Sequence, residues 1–243
     1  MGTIAVIQAR MRSTRLPDKV MKDIGGTTML ARVVRRTQRA TLLKQVIVAT
    51  SNALADDAIV AECKRLGVEV FRGDEEDVLD RYYQAAQHYG ADPIVRITAD
   101  DPLIDPEVID KVVRAFFNAQ PDFAGNNIRY TYPVGLDVDV MTFAALERTW
   151  REAAEEYQRA HVVEYMLEHP ERFRLLSVEH DGDLSDMRWT VDTPEDLAFV
   201  RAVYERLGNH NDVRWTDVLD LLEHEPHLAD INRHIRPKPT EDG

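Results

Sequence analysis

Arg10, Arg12, Arg15 and Lys19 lie close together in the segment Ile7-Gln-Ala-Arg-Met-Arg-Ser-Thr-Arg-Leu-Pro-Asp-Lys19, in a chain whose net charge is −13. Arginine presents a planar fork of donors that matches phosphate oxygens, and lysine adds a compact point charge, so this segment is suited to holding a phosphate. The competing reading is a solvated basic surface. No glycine falls between Gly2 and Gly25. A phosphate here must therefore be held mainly by side chains, unlike one in a glycine-rich loop.

Two acidic positions complement the cationic segment. Asp100 stands in Thr98-Ala-Asp-Asp-Pro102 and Asp192 ends the strand-like run Arg188-Trp-Thr-Val-Asp192, just before Thr193-Pro-Glu-Asp-Leu197. Mg²⁺ takes one or two carboxylates and completes its shell with substrate phosphates and water, which makes Asp100 and Asp192 candidate ligands. Each also has a structural reading: Asp100 as a turn or cap, and Asp192-Thr-Pro-Glu as the start of a helix.

These residues need elements to position them. Ile4-Ala-Val-Ile7 reads as a buried strand delivering the cationic loop. Thr27-Thr28 can cap a helix through Met29, Leu30, Val33 and Val34, and Val46–Thr50 reads as a second strand. A helix over Asp57–Leu66 stops at Gly67, and Val68–Phe71 is a short third strand. A helix over Glu75–Tyr89 precedes a fourth strand, Ile94–Thr98. Asp105-Pro106-Glu107 then opens a helix through Phe116, with an Asp cap, Pro at the first turn and an early acid in agreement. Such alternation requires right-handed crossovers and a mostly parallel sheet covered on both faces. The carboxyl ends of its strands are where ligands bind, and the cationic loop, Asp100 and Asp192 all fall there. The second half is less regular. Strands are expected at Leu136–Val140 and Phe173–Val178, and helices near Thr142–Glu155, Arg159–Glu168, Pro194–Leu207 and Thr216–Glu223. An antiparallel or protruding element is expected after residue 120.

At 243 residues and 44% hydrophobic composition, the chain can build one substantial core. Without a linker or repeat, residues 1–235 read as one domain and 236–243 as a frayed tail. The acidic balance, 43 Asp and Glu against 30 Lys and Arg, opposes broad binding to nucleic acid. No membrane-spanning run or leader pattern is visible, which gives a cytoplasmic, soluble reading. Cys63 is the only cysteine, which excludes an internal disulfide, and its setting suggests an inert core thiol. Phe143, Leu146, Trp150 and Tyr157 are either a homodimer surface or core.

Several motifs in order resemble one family: Ala9-Arg10…Ser13…Arg15-Leu-Pro…Lys19, Val48-Ala-Thr50, Phe71-Arg-Gly-Asp-Glu-Glu-Asp-Val-Leu-Asp-Arg81, Thr98-Ala-Asp-Asp-Pro102, Pro133…Gly135-Leu-Asp-Val138 and Asp192-Thr-Pro-Glu-Asp-Leu197. The chain resembles the nucleotide-sugar cytidylyltransferases that include the CMP-Kdo and CMP-acylneuraminate synthetases, and most of all their spore-coat polysaccharide SpsF-like branch. The resemblance spans residues 3 to about 205. It implies a doubly wound, Rossmann-like α/β fold and Mg²⁺-dependent transfer of CMP from CTP to an ulosonic acid or related sugar, with release of pyrophosphate, in surface glycan synthesis. On matching positions it makes Arg10, Arg15 and Lys19 the catalytic cations around the triphosphate and Asp100 and Asp192 the metal ligands. It puts Ala9, Ser13, Thr50, Asp77, Arg81 and Thr98 along the nucleotide. Arg129, Asp137, His161 and Arg188 are candidates for the acceptor side, with surface or salt-bridged roles as the alternative for the two arginines.

Some positions depart from the family pattern. Asp18 stands where glycine is common in the Kdo branch, Thr98-Ala-Asp-Asp101 replaces Gln-Gly-Asp-Glu, and Arg159-Ala-His-Val162 replaces the Arg-Glu-His-Val usual in the SpsF-like branch. These departures weaken Kdo as the acceptor and leave a structural histidine open for His161. A phosphonate cytidylyltransferase and a non-catalytic nucleotide-binding subunit are the alternatives. The absence of G-x-G-x-x-G after the first strand and of G-x-x-x-x-G-K-[ST] anywhere disfavours a nicotinamide dehydrogenase and a P-loop nucleotidase.

Overall fold

In β1 (Gly2–Gln8), Ala5 and Ile7 face one apolar cluster while Ile4 and Val6 face another. Period-two alternation with both sets buried is what a central strand of a sheet covered on both sides requires. The structure, a computed structural model, describes residues 2–236; of the expected tail only Arg236 is among them, and the rest lies outside the described residues. β1 is followed by α1 (Met29–Thr37), β2 (Gln45–Ser51), α2 (Asp57–Leu66), β3 (Glu69–Gly73), α3 (Val78–Tyr89), β4 (Ala91–Thr98) and α4 (Pro106–Ala119). The second half supplies β5 (Phe123–Gly125), β6 (Asp139–Met141), α5 (Phe143–Glu152), α6 (Glu156–His161), α7 (Glu164–Glu168), β7 (Leu175–Ser177), α8 (Pro194–Arg206) and α9 (Trp215–His224).

The strands form one seven-stranded sheet in the order β3-β2-β1-β4-β6-β5-β7. β1 to β4 pair in parallel, and the doubly wound α/β architecture is as expected. β6 runs antiparallel to both of its neighbours, β4 and β5, and is the antiparallel element expected after residue 120. Residues of α1, α2, α4, α8 and α9 build the core on one face; residues of α3, α5 and α7, with Val162 and Val163 between α6 and α7, build it on the other. Side-chain caps start the helices where the sequence placed them: Thr28 on α1, Asp105 on α4 and Thr193 on α8 each accept a first-turn amide.

Several expectations need correction. The helix expected over Glu75–Tyr89 begins only at Val78, because Asp74 accepts the amides of Glu76 and Asp77 in a turn and Asp77 caps the helix. Arg159–Glu168 is two short helices, broken where Val162 takes φ 63°. β5 was not foreseen: three residues show too little periodicity to separate a strand from a loop. Of Leu136–Val140 only the end enters β6. Arg188–Val191 is no ladder strand; it is an extended segment whose Trp189 and Thr190 amides bond Val134 O while Val191 N bonds Asp100 O. Gly135 makes this contact possible. It adopts φ 109°, and a Cβ there would lie 2.5 Å from Thr190 N.

The aromatic patch packs within the chain. Leu146 is fully buried, Trp150 stacks on Tyr83 at 4.3 Å, and Phe143 lies on the same ring. Tyr157 donates to Glu168. Cys63 is buried, and burial with Glu62 nearby pushes its thiol up to about 12.

One buried carboxylate holds the first loop to the sheet. Asp56 accepts Met11 N at 2.8 Å through one oxygen; the other takes Ser51 N and the hydroxyls of Thr50 and Ser51. Burial opposes its charge, but the donors from Ser51, Met11 and Thr50 outweigh burial and hold its pKa below the ordinary carboxylate range. A depressed folded pKa means that the stabilisation is complete above the unfolded value of about 3.9 and is lost as pH falls through the folded one. Asp56→Asn, which turns an amide toward these donors, is expected to lower unfolding free energy by about 2 kcal/mol at pH 7. Urea titration should show that deficit narrowing below about pH 4, and an unchanged midpoint at pH 7 would remove Asp56 from this role.

Candidate active site

The cationic loop leaves β1 at the carboxyl edge of the sheet and is pinned at both ends. Ala9 N donates to Ala49 O, Met11 N to Asp56, and Asp18 N returns to Met11 O. Ala9 is buried, and the Ser13 hydroxyl accepts Leu16 N inside the loop. Asp18 takes φ 57°, the left-handed region where glycine is most at ease and aspartate is among the residues that tolerate it.

Lys19 is carried back from the loop to the end of β4. Its ammonium lies 2.8 Å from Asp100 Oδ2, 2.8 Å from Asp192 Oδ1 and 3.0 Å from Val191 O. Burial works against this ammonium, but the two carboxylates more than compensate and its pKa is raised. Arg15 reaches the other oxygen of Asp192 at 3.0 Å, as does Arg188 at 2.7 Å. Burial would raise the Asp192 carboxyl, yet Lys19, Arg188 and Arg15 hold it down to about 2. Arg188 also grips Asp196, the first-turn partner of Thr193 in the capping box of α8, which in turn takes the Asp192 and Thr193 amides. Asp192 is therefore anchored by a framework, with its free edge facing Lys19 and Arg15.

Arg10 is exposed and has no ion-pair partner among the described residues. Close by is Arg81, 1% exposed, whose Nη1 donates to Asp74 O while its Nε reaches no acceptor among the described residues. Burial lowers the Arg81 pKa, and Arg10 adds to that effect. Two guanidinium groups near enough to repel each other suit a polyanion. Arg12, by contrast, pairs at the surface with Glu76.

The remaining expected residues divide. Thr50 is buried with its hydroxyl on Asp56, Thr98 donates to Asp101, and Asp77 caps α3 while pairing with Arg159. Arg129 is exposed and pairs with Glu179. Arg188 is held by Asp192 and Asp196, so neither arginine presents an unpaired charge to an acceptor. His161 ends α6. Asp137 lies near Tyr130 and Asp139; burial and then Asp139 push its carboxyl up to about 7.

Residues 4–215 match the family model described as cytidylyltransferase. The chain belongs to the cytidylyltransferase family. It is 39% identical to an uncharacterized protein of Methanocaldococcus jannaschii over 98% of this chain and 97% of that one. It is 34% identical to the spore coat polysaccharide biosynthesis protein SpsF of Bacillus subtilis over 92% of this chain and 95% of that one. Among solved structures it is similar to a cytidylyltransferase from Leptospira borgpetersenii, with a TM-score of 0.91 and 31% identity over 98% of this chain and 99% of that one. No helix among the described residues of this cytidylyltransferase is long and apolar enough to cross a membrane.

The carboxylate pair fits a divalent cation. Asp100 and Asp192 already converge on one cation, the Lys19 ammonium, each at 2.8 Å. No cluster of three or more His, Cys, Asp or Glu suited to a metal occurs among the described residues, so such an ion must complete its shell with substrate oxygens or water. Sequence reading missed Asp56, Arg96 and Asp139. The signal for the last two is a charge inside an apolar strand, where it must be paired: Arg96 Nη1 lies 2.7 Å from Asp139 Oδ2.

With Lys19 occupying the pair, Mn²⁺ alone should bind this cytidylyltransferase weakly. Lys19→Met should tighten Mn²⁺ binding without nucleotide about tenfold, equivalent to about 1.4 kcal/mol, when free Mn²⁺ is counted by electron paramagnetic resonance. Equal affinity in the two proteins would mean that Lys19 does not compete for the carboxylates.

Proposed function

We propose that this enzyme transfers CMP from CTP to an oxygen of a sugar-type acceptor, with Mg²⁺ as cofactor and pyrophosphate as the second product. The observation that carries this reading is the Lys19 ammonium set between Asp100 and Asp192, with Arg15 on the same carboxylate. Likeness to SpsF over nearly the whole chain supports a role in supplying activated sugar for a surface polysaccharide. The reaction would run in the cytoplasm, where nucleoside triphosphates are held.

Attack of the acceptor oxygen on the α-phosphorus forms one P–O bond and breaks the bond to the β-phosphate oxygen, moving negative charge onto the non-bridging oxygens and the departing pyrophosphate. Arg10 and Arg15 would hold those oxygens, and Lys19 would turn from the carboxylates to the triphosphate. Once the nucleotide has drawn these charges into place, the transition state would be stabilised without further reorganisation. A Mg²⁺ ion held by Asp100 and Asp192 would supply Lewis-acid neutralisation of the phosphates. Arg188 and Asp196 keep Asp192 in place without touching substrate. Asp77 and Arg81, near the start of α3, would border the nucleoside, while Thr50 acts through Asp56 on the loop. No covalent enzyme intermediate is needed.

Pyrophosphate release measured with each of the four nucleoside triphosphates, Mg²⁺ and a panel of 3-deoxy-manno-octulosonate, N-acetylneuraminate, hexose 1-phosphates and 2-aminoethylphosphonate should show CTP preferred and one acceptor class used. CTP binding without release across the panel would favour a non-catalytic binding subunit. Asp100→Asn should lower kcat by about 100-fold or more with the melting temperature preserved. Arg15→Ala should raise the CTP KM about tenfold. Full activity in Asp100→Asn would exclude a metal-ligand role for that carboxylate.

A further inference from the structure

Asp192 is held by a chain of contacts that continues past its immediate neighbours. Its backbone belongs to no strand, so side chains must supply much of the rigidity that a ladder gives to a strand residue. Arg188 does this from one side. Its Nη2 donates to Asp192 Oδ2 at 2.7 Å and to Asp196 Oδ2 at 3.0 Å, while its Nε donates to Asp196 Oδ1 at 3.0 Å. The bidentate pair with Asp196 leaves the planar guanidinium one orientation, and with it the hydrogen that meets Asp192.

The next link comes from the far end of the chain. Asn232 follows a short 3₁₀ helix, Pro226–Ile231, and is 3% exposed. Its Nδ2 donates to Arg188 O and to Asp196 Oδ1, both at 2.9 Å. A carbonyl and an ionised carboxylate can only accept, so the amide nitrogen, with its two hydrogens, is the atom that must face them. One side chain therefore fixes both the backbone of Arg188 and the carboxylate that grips the Arg188 guanidinium. Asp196 is fully buried; burial opposes its charge, but Arg188, Asn232 and the Asp192 amide outweigh it and hold its pKa below the ordinary carboxylate range.

Other groups do the purely structural work nearby. Leu228, 3% exposed, anchors the same segment in the apolar cluster that includes Trp215, Val218 and Leu222. The start of α8 has its own reciprocal cap between Thr193 and Asp196. Neither the docking of the segment nor the start of the helix calls for a buried amide at Asn232, which lies well past the last family motif, Asp192-Thr-Pro-Glu-Asp-Leu197. Its two bonds converge instead on the residues that orient Asp192.

We propose that Asn232 is a positioning residue of the active site: by fixing Arg188 and Asp196 it sets the orientation in which the Asp192 carboxylate, together with Asp100, meets a divalent cation. It touches neither substrate nor cation. The inference rests on the cytidylyl-transfer reading and adds to it a contribution from the C-terminal segment. Partners that orient a metal-binding carboxylate from outside are felt in the affinity for the cation.

Three variants separate orientation from docking. Asn232→Ala removes both donors, Asn232→Asp keeps the shape of the side chain while removing them, and Leu228→Ala loosens the segment without touching Arg188 or Asp196. Each is compared with the wild type for Mn²⁺ bound in the presence of CTP, counted by electron paramagnetic resonance, for metal-free CTP affinity by calorimetry, and for melting temperature. Both Asn232 variants should weaken Mn²⁺ binding in the CTP complex about tenfold, with metal-free CTP affinity within about twofold of the wild type. Either one carries the test should the other fail to fold. Leu228→Ala should lower the melting temperature most and keep Mn²⁺ binding within about twofold. Unchanged Mn²⁺ binding in either folded Asn232 variant overturns the proposal. So does an equal loss in Leu228→Ala, which would assign the effect to docking of the whole segment, or a parallel loss of metal-free CTP affinity, which would mean general loosening of the site. A wild type that holds no more Mn²⁺ with CTP than CTP holds by itself sinks the underlying cytidylyl-transfer reading instead.

Discussion

The contact between the Lys19 ammonium and the carboxylates of Asp100 and Asp192 ties together three parts of the chain that are distant in sequence: the first loop, the end of β4 and the approach to α8. A partly buried ammonium costs free energy unless carboxylates meet it, and a carboxylate pair so close needs a cation between its members. Each side requires the other. Asp192 is brought to Asp100 by the Val191 N bond to Asp100 O and by the close approach of Gly135 to Thr190, so the extended segment before α8 behaves as part of the sheet edge without being a strand.

Buried arginines repeat the same logic away from the site. Arg32 donates to the carbonyls of Ile24, Gly25 and Asn209, and Arg36 to those of Leu103, Ile104 and Asn211. Carbonyl oxygens in loops have no ladder partners, and a guanidinium can satisfy several at once. These side chains bind the turn after α8 and the loop after β4 to α1. Together with Asp56, they hold irregular segments rigidly enough to present charged groups at fixed positions.

The site is thus a local inversion of the molecule's overall charge. A net charge of −13 keeps the general surface acidic, while Arg10, Arg15, Lys19 and Arg81 gather at one sheet edge. The contrast favours a small polyanion at that edge over an extended one such as nucleic acid, which would meet repulsion beyond it.

Local signals in the chain were sufficient for the first half of the fold. Apolar runs such as Ile4–Ile7, caps at Thr28 and Asp105, and the stop at Gly67 act within a few residues, so their outcome is readable without tertiary information. The type and spacing of Arg10, Arg15 and Lys19 likewise suggested an anion, the reading carried into the proposed function, and Asp100 could be placed at a strand end. The tertiary structure decided what depends on register and on partners far along the chain: the insertion of β6 between β4 and β5, the break at Val162, and the extended path before Asp192. It also decided that Thr50 serves Asp56 and that Arg188 serves Asp192 and Asp196. Residue type states which bonds a side chain can make, whereas only packing determines which partner arrives within bonding distance.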